Sequence, residues 1–230
     1  MSFAGKLKYA LTAFICHLMI LMFSIFKPLI HVWENIMYIV AIATMFIGNL
    51  FALRQQNMKR FLAFSSIAQA GFILLGLITG TQLGTATIVY FVMIYIFSNL
   101  AAFGVVQAIS LKTGKENMDD YNGLYRTNPN LSLVMMLALF SLAGIPPVAG
   151  FFGKFFLFTA AASKGYYLLV FLAVVNVTIS LYYYLLVIRA MFIRRSENPI
   201  PYFKNKLYMR LGLLITVIGI FVLGLYSPLY

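Results

Sequence analysis

Charged residues are scarce in this sequence. They make up 10% of its 230 residues, whereas about a quarter of an ordinary soluble domain is charged. Hydrophobic residues account for 63% of the chain, and the mean hydropathy is +0.93. Such a chain has too few polar side chains to cover a water-facing surface. The composition therefore excludes a soluble domain and predicts an integral membrane protein.

Cysteine and histidine are almost absent as well. Cys16 is the single cysteine and lies inside an apolar run, so the chain forms no internal disulfide and no cysteine-based metal site. The two histidines, His17 and His31, are isolated from each other. We therefore predict no metal site.

Acidic residues are the third shortage. Five of them oppose 17 lysines and arginines, which gives a net charge of +12. In a soluble protein this excess would suggest a nucleic-acid partner. Here the basic residues lie at the ends of apolar runs, so we predict the lipid bilayer as the surrounding partner and no nucleic acid.

Long apolar runs fill the rest of the chain, and they predict a single transmembrane domain over residues 1–230. Each run is about 18 residues or longer, enough for a helix to cross a hydrocarbon core of about 30 Å. Alternating ten-residue segments, which are typical of a membrane β-barrel, do not occur, so the expected fold is all-α. The first run begins like a signal peptide, but no small-residue cleavage site follows it, and we interpret it as a true membrane helix. The predicted helices are 7–26, 34–53, 61–79, 85–110, 131–163, 166–193 and 208–227.

The basic residues predict the orientation of these helices. Counted on alternate sides of the membrane, they fall overwhelmingly on one side, and Lys27 and Lys164 alone lie on the other. Positively charged loops face the cytoplasm, or the matrix in a mitochondrion, so the C-terminus is expected on the opposite side. The residues on the basic side are Arg54, Lys59, Arg60, Lys112, Lys115, Arg126, Arg194, Arg195, Lys204, Lys206 and Arg210.

The run 131–163 is too long for one straight crossing. Its 33 residues would form a helix of about 50 Å. Proline lacks an amide hydrogen and disfavours helix at the residue before it, so we predict a break near 144–153. Backbone freed at that depth must be satisfied by protein or water, as in the broken helices of ion-translocating proteins. The helix-breaking residues are Gly144, Pro146, Pro147, Gly150 and Gly153.

Lys154 follows this break and is flanked by phenylalanines. A lysine in a membrane helix costs roughly 3 kcal/mol, so its side chain should face the bundle interior or a water-filled cavity. Desolvation disfavours the ammonium form, which suits such a lysine to proton transfer. The competing interpretation is a lysine that extends from a helix end to the membrane surface. The uncharged residues 155–162 after Lys154 favour proton transfer.

Other polar residues offer a weaker signal. Lys8 or Lys6, at the head of the first run, is a second candidate lysine, although a chain start is where surface-reaching lysines belong. Hydroxyl and amide side chains within helices more often bond helix to helix, yet as a set they are suited to hold a water path. No carboxylate is predicted inside a membrane segment, so a complete relay would need a partner chain. The candidate water-path residues are Ser65, Ser66, Ser98, Asn99 and Gln107.

Two segments carry a family resemblance. Residues 48–71 read GNLFALRQQNMKRFLAFSSIAQAG, and residues 140–155 read FSLAGIPPVAGFFGKF. Both closely resemble the antiporter-like membrane subunits of respiratory complex I, NADH:quinone oxidoreductase. The ending Gly-Lys-Phe and the run Tyr182-Tyr-Tyr-Leu185 favour the branch called subunit N, or chain 2 in mitochondria. The resemblance covers nearly the whole chain.

The resemblance implies a fold of 14 helices with two inverted five-helix repeats, of which this chain supplies helices 8 to 14. Its second repeat would run from about residue 34 to 193. Lys154 then matches the broken-helix lysine at the outlet half-channel, and Lys8, rather than Lys6, matches the central-axis lysine of helix 8. The first seven helices, with the family's inlet residues, would be absent. We therefore expect either a fragment or the product of a split gene, with another chain or segment supplying that half.

The function implied is proton translocation by a membrane-arm subunit of NADH:quinone oxidoreductase, in a bacterial or mitochondrial inner membrane. NADH, FMN, the iron–sulfur clusters and the quinone would belong to partner subunits, because this sequence has no cysteine cluster or nucleotide loop to hold them. Two alternatives remain open. One is a subunit of a multisubunit cation/proton antiporter or membrane-bound hydrogenase, and the other is a scaffold that transports nothing.

Overall fold

The computed structural model describes residues 30–225, where helix dominates. A 3-10 turn, Met118–Tyr121, lies in the longest link between membrane-length helices. The predicted helix 7–26 lies outside the described residues. The α-helices of the described part are α1 (Ile30–Leu53), α2 (Met58–Ile78), α3 (Gln82–Thr113), α4 (Leu124–Thr127), α5 (Pro129–Ala143), α6 (Ala149–Ser163), α7 (Tyr167–Phe192) and α8 (Leu207–Leu225).

Side-chain caps set several helix ends. The side chain of Asn57 accepts hydrogen bonds from the backbone N–H groups of Lys59 and Arg60, and so begins α2. The Thr81 hydroxyl accepts from the N–H of Gly84 and begins α3 in the same way. Gly114 ends α3 with a φ of +69°, a conformation that glycine adopts without steric cost. Ordinary helix capping therefore sets these three helix ends.

Five helices, α1, α2, α3, α7 and α8, are long and apolar enough to cross a membrane by length and composition. Helices α5 and α6 are also apolar but have 15 residues each, or about 22 Å, too short to cross alone. Together they form one broken crossing. The predicted all-α membrane fold with a broken helix is confirmed.

The break itself, residues 144–148, is shorter than predicted. Gly150 and Gly153, which the sequence placed in the break, lie inside α6 and serve close packing instead. A Cβ atom on Gly150 would lie 1.7 Å from the carbonyl oxygen of Ser141 in α5. A Cβ atom on Gly153 would lie 3.0 Å from the Phe91 ring of α3.

Helix α3 lies at the centre of the bundle and contacts α2, α5, α6 and α8. Aromatic rings pack on one side of it, between α2 and α7. The Phe61 ring meets the rings of Tyr183 and Tyr184 edge to face, at centroid distances of 5.3 and 5.8 Å. All three side chains are buried, so these rings fix the distance between α2 and α7 beside the candidate site.

The links 54–57, 114–128 and 193–206 follow helices that alternate in direction, so they lie on one side of the bundle. We call this surface the basic face. Two of its links are tied by an antiparallel bridge between Asn57 and Asn117. The N–H of Met58 donates to the carbonyl of Glu116 at 2.8 Å. Lys59, which the sequence placed on the basic side, pairs with the Glu116 carboxylate.

Two side chains besides Lys59 donate hydrogen bonds to the Glu116 carboxylate. The Ser110 hydroxyl donates to Glu116 at 2.6 Å, and the Asn57 amide donates at 3.3 Å. The hydrogen bond from Lys59, followed by those from Ser110 and Asn57, lowers the pKa of Glu116 from 4.5 to about 2. A lowered pKa means that the pair stabilises the fold fully above about pH 4.5 and loses this contribution as the pH falls through about 2.

Lys59→Met is expected to move the titration of Glu116 upward, toward 4.5, because the largest cause of the lowered pKa is removed. The measurement is a carboxylate infrared titration of the solubilised protein, with Glu116→Gln identifying the band. Lys112→Met is the control, since that lysine is exposed in the last turn of α3 and takes no part in the pair. Equal midpoints in Lys59→Met and wild-type protein would contradict the assignment.

Candidate functional site

Lys154 lies in α6 close to the break, and its side chain is 3% exposed. Its ammonium donates to the carbonyl oxygens of Leu142 at 2.7 Å and Ala143 at 3.1 Å. Both acceptors belong to the last turn of α5. The two half-helices are therefore joined by a lysine that reaches back across the break.

The double proline explains why these carbonyls are free. In a continuous helix they would accept from the N–H groups four residues later, at positions 146 and 147. Pro146 and Pro147 have no N–H to donate. An unsatisfied buried carbonyl is costly, and Lys154 supplies hydrogen bonds to the two that the prolines leave open. The site is thus built from the break and the lysine together.

Two further groups hold the lysine side chain. Gly144 ends α5 with a φ of +84°, and a Cβ atom there would lie 3.1 Å from Cδ of Lys154. The Phe72 ring of α2 lies under the ammonium, with Nζ 4.9 Å from its centroid, within the range of a cation–π contact. Within residues 30–225, neutral oxygens and a ring face therefore surround the Lys154 ammonium.

Gln69 extends the site from α5 to α2. Its amide donates to the carbonyl of Leu142 at 3.1 Å, the same oxygen that accepts from Lys154. Gln69 is 1% exposed, and a buried amide needs such partners. A shared acceptor couples the position of Gln69 to the charge on Lys154, because both donors compete for the same lone pairs.

The structure brings some of the candidate water-path residues together and leaves one apart. Ser98 is buried in α3 and donates to the Ser141 hydroxyl at 2.7 Å, beside the end of α5. Asn99 is also buried. Ser65 and the half-buried Ser66 lie on α2 and donate to the carbonyl of Leu62, at 3.0 and 2.7 Å. Gln107, by contrast, is exposed on α3 and does not face the bundle interior formed by the described helices.

Lys6 and Lys8 lie outside the described residues, so both remain predictions. Glu34 lies in the second turn of α1, which begins at Ile30, and is adjacent to Trp33, the first residue of the candidate span. Its carboxylate accepts from the Tyr166 hydroxyl.

A second buried network joins α1 to α7 through polar side chains, which the sequence analysis expected to bond helix to helix. The Asn49 amide donates to the side-chain oxygen of Asn176 at 2.9 Å and to its backbone oxygen at 3.0 Å. The Tyr183 hydroxyl donates to the Asn49 side chain at 2.8 Å. The signal was present as isolated polar residues in apolar runs, but their pairing depends on contacts across more than a hundred residues of chain.

The arrangement around Lys154 suits the binding and release of a proton. No group of three or more potential metal-ligating side chains occurs within the range 30–225. Lys154 is a titratable group held by neutral oxygens, so a charge that appears nearby changes the free energy of its protonated form through a poorly screened interaction. The residues of this site can bind, hold and release a proton at Nζ.

Comparison with known proteins places this geometry in a family. The family described as NADH:quinone oxidoreductase/Mrp antiporter, TM, matches residues 7–180. NADH-quinone oxidoreductase subunit N of Phocaeicola vulgatus is 56% identical over 214 residues, which cover 93% of this chain and 45% of that protein. The chain thus spans under half the length of this relative. The predicted resemblance to the antiporter-like subunits is confirmed.

Solved structures share the fold. A chain of respiratory complex I from Thermus thermophilus with bound aureothin superposes with a TM-score of 0.74 at 33% identity, over 85% of this chain and 44% of that one. A chain of the Mrp complex from Dietzia sp. gives a TM-score of 0.75 at 23% identity, over 86% and 45% of the two chains, a likeness of fold alone. Since the family match covers most of the sequence, this chain belongs to the NADH:quinone oxidoreductase/Mrp antiporter transmembrane family.

Proposed function

We propose that this chain is a proton-translocating part of the membrane arm of NADH:quinone oxidoreductase. The observation that carries the proposal is Lys154, buried beside a double-proline break and bonded to the two carbonyls that the prolines free. A charge in a membrane helix is costly and marks an ion pathway when it faces the bundle interior. The relative named subunit N supports the assignment to this complex rather than to another assembly.

In the proposed mechanism, a charge change in a neighbouring part of the complex alters the proton affinity of Lys8, which in turn alters that of Lys154. Lys154 then releases a proton from its ammonium to water and later takes one up. Each elementary charge moved across the membrane works against about 2.3 kcal/mol per 100 mV. The carbonyls of Leu142 and Ala143 keep Nζ in place in the ammonium form.

The remaining components belong to partners in this proposal. Electron transfer from NADH through FMN and iron–sulfur clusters to quinone takes place in other subunits, and this chain contributes to the translocase without a redox site. Other membrane-arm subunits, and a chain or segment that supplies seven more helices, would complete the assembly. The location is a bacterial or mitochondrial inner membrane, with the basic face on the cytoplasmic or matrix side.

The experiment that tests the proposal is a native gel of mildly solubilised membranes, stained for NADH oxidation and analysed by mass spectrometry for peptides of this chain. We expect the peptides in a very large band that oxidises NADH. Their presence only in a smaller assembly without NADH oxidation would overturn the proposal in favour of a cation/proton antiporter. The fold shared with the Mrp complex makes that the alternative to exclude.

A further inference from the structure

The carbonyl oxygen of Leu142 accepts hydrogen bonds from two side chains on different helices. Lys154 of α6 donates to it at 2.7 Å, and Gln69 of α2 donates to it at 3.1 Å. Lys154 also donates to the carbonyl oxygen of Ala143, at 3.1 Å. The Leu142 carbonyl, at the broken end of α5, therefore has one donor that does not depend on the lysine.

Both donors are enclosed by the bundle. The side chain of Gln69 is 1% exposed and that of Lys154 is 3% exposed, so bulk water does not reach either of them. In such a place, a hydrogen bond that is lost is not replaced by one to solvent, and the carbonyl left behind is destabilised. These two side chains therefore determine how well the Leu142 carbonyl is paired.

The proposed proton cycle changes the strength of one of the two hydrogen bonds. A hydrogen bond from an ammonium is roughly twice as strong as one between neutral groups. When Lys154 releases its proton, its bonds to the carbonyls weaken, and the cation–π contact with Phe72 at 4.9 Å is lost with the charge. The amide of Gln69 does not titrate, so it donates equally well before and after the release.

Helix α2 supports both halves of this site. Gln69 and Phe72 are three residues apart, so they lie on the same side of α2, and both are buried. Phe72 contacts the ammonium, and Gln69 contacts the carbonyl to which the ammonium is bonded. One contact thus depends on the charge of Lys154, and the other does not.

We propose that Gln69 is a positioning residue that holds the end of α5 in place while Lys154 is neutral. The inference rests on the proposed function of Lys154 and extends it to a second residue. In the release step, an N–H bond of Lys154 breaks and an O–H bond forms on water, while Gln69 neither gains nor loses a proton. Its amide keeps the Leu142 carbonyl paired throughout, so the neutral lysine remains in the same frame for the next proton.

The test compares variants in the assembled complex in membrane vesicles. Gln69→Met has a similar length but no N–H to donate. Gln69→Glu keeps the shape of the side chain, and an ionised carboxylate likewise cannot donate. Gln107→Met is the control, because it makes the same substitution at an exposed amide of α3. For each variant we would measure the maximal rate of NADH oxidation per assembled complex, the proton-to-electron ratio and the thermal denaturation midpoint.

We expect Gln69→Met to lower the maximal rate about tenfold, because each cycle then passes through a neutral lysine beside a poorly paired carbonyl. The proton-to-electron ratio should stay at the wild-type value, since Lys154 still carries the proton, whereas Lys154→Met should lower that ratio. Gln69→Glu should also lower the rate, and this variant decides the matter if Gln69→Met does not assemble. Gln107→Met should match wild-type protein in every measurement.

The denaturation midpoints test the shared carbonyl separately. In each single variant, Gln69→Met or Lys154→Met, one donor to Leu142 remains, whereas the double variant has neither. The midpoint of the double variant should therefore fall by more than the sum of the two single changes.

Two outcomes would overturn the positioning role and leave the proposed function standing. One is a wild-type rate in the Gln69 variants, and the other is additive midpoints, each with a lowered ratio in Lys154→Met. A lowered ratio in Gln69→Met would also overturn it, because a positioning residue carries no proton. A wild-type ratio in Lys154→Met would overturn the proposed function itself.

Discussion

We expect Lys154→Met to lower the proton-to-electron ratio of the assembled complex, while the amount of assembled complex stays close to that of wild-type protein. Methionine has a similar length but no titratable group, so the proton carried at Nζ is lost. The Ala143 carbonyl loses its lysine donor, at about 1–3 kcal/mol, whereas the Leu142 carbonyl retains Gln69. Removing the buried ammonium returns roughly 3 kcal/mol. The two changes nearly cancel, so assembly survives.

The measurement compares proton uptake with NADH oxidation in the same vesicles. Lys164→Met serves as the control, because Lys164 caps the far end of α6 and is exposed. It removes the same charge from the same helix at a membrane surface, and it should leave the ratio unchanged. A wild-type ratio in Lys154→Met, with a normal amount of complex, would refute a role for this lysine in proton transfer.

The sequence was sufficient for the parts of the fold that depend on local chemistry. Apolar runs predicted the membrane helices, because their length is set by the thickness of the bilayer. Pro146 and Pro147 predicted the break, because a missing N–H disrupts any helix. The partners of Lys154 were also accessible, since counting four residues back from each proline identifies Leu142 and Ala143.

Contacts between residues far apart in the chain could not be predicted from the sequence. Gln69 and Leu142 are 73 residues apart, and Asn49 and Asn176 are 127 apart. Nothing in either segment alone selects its partner, because a buried side-chain amide can donate hydrogen bonds to many different acceptors. Helix faces were equally hidden. Gln107 was grouped with buried polar residues although α3 presents it outward, and a uniformly apolar helix gives no periodicity from which to read its orientation.

The role of Gly150 also depends on tertiary contacts that the sequence does not reveal. The sequence assigned Gly150 to the break because glycine weakens helices. In the structure it allows α6 to approach the backbone of α5, a role that depends on where Ser141 lies. The close approach matters for function, because Lys154 reaches the α5 carbonyls only when the two half-helices are held together.

Gly150→Ala is therefore expected to lower the denaturation midpoint and the amount of assembled complex. The new Cβ atom would lie 1.7 Å from the Ser141 oxygen and 2.6 Å from its carbon, which are backbone atoms that no rotamer change can move away. The half-helices must part, at a cost of about 1–3 kcal/mol or more. Separation also lengthens the hydrogen bonds of Lys154, so the proton-to-electron ratio of the complex that does assemble should fall too.

Gly212→Ala is the matched control for this substitution. Gly212 lies in α8 with no atom within 4 Å of the position of a Cβ atom, so alanine fits there without any displacement. Alanine also favours helix over glycine by about 1 kcal/mol, and the denaturation midpoint should stay level or rise. Equal midpoints for Gly150→Ala and wild-type protein would mean that the contact between α5 and α6 is looser than the structure shows. The same result would leave Lys154 free to move away from the Leu142 carbonyl, and the break would then be a flexible hinge rather than a fixed frame for the lysine.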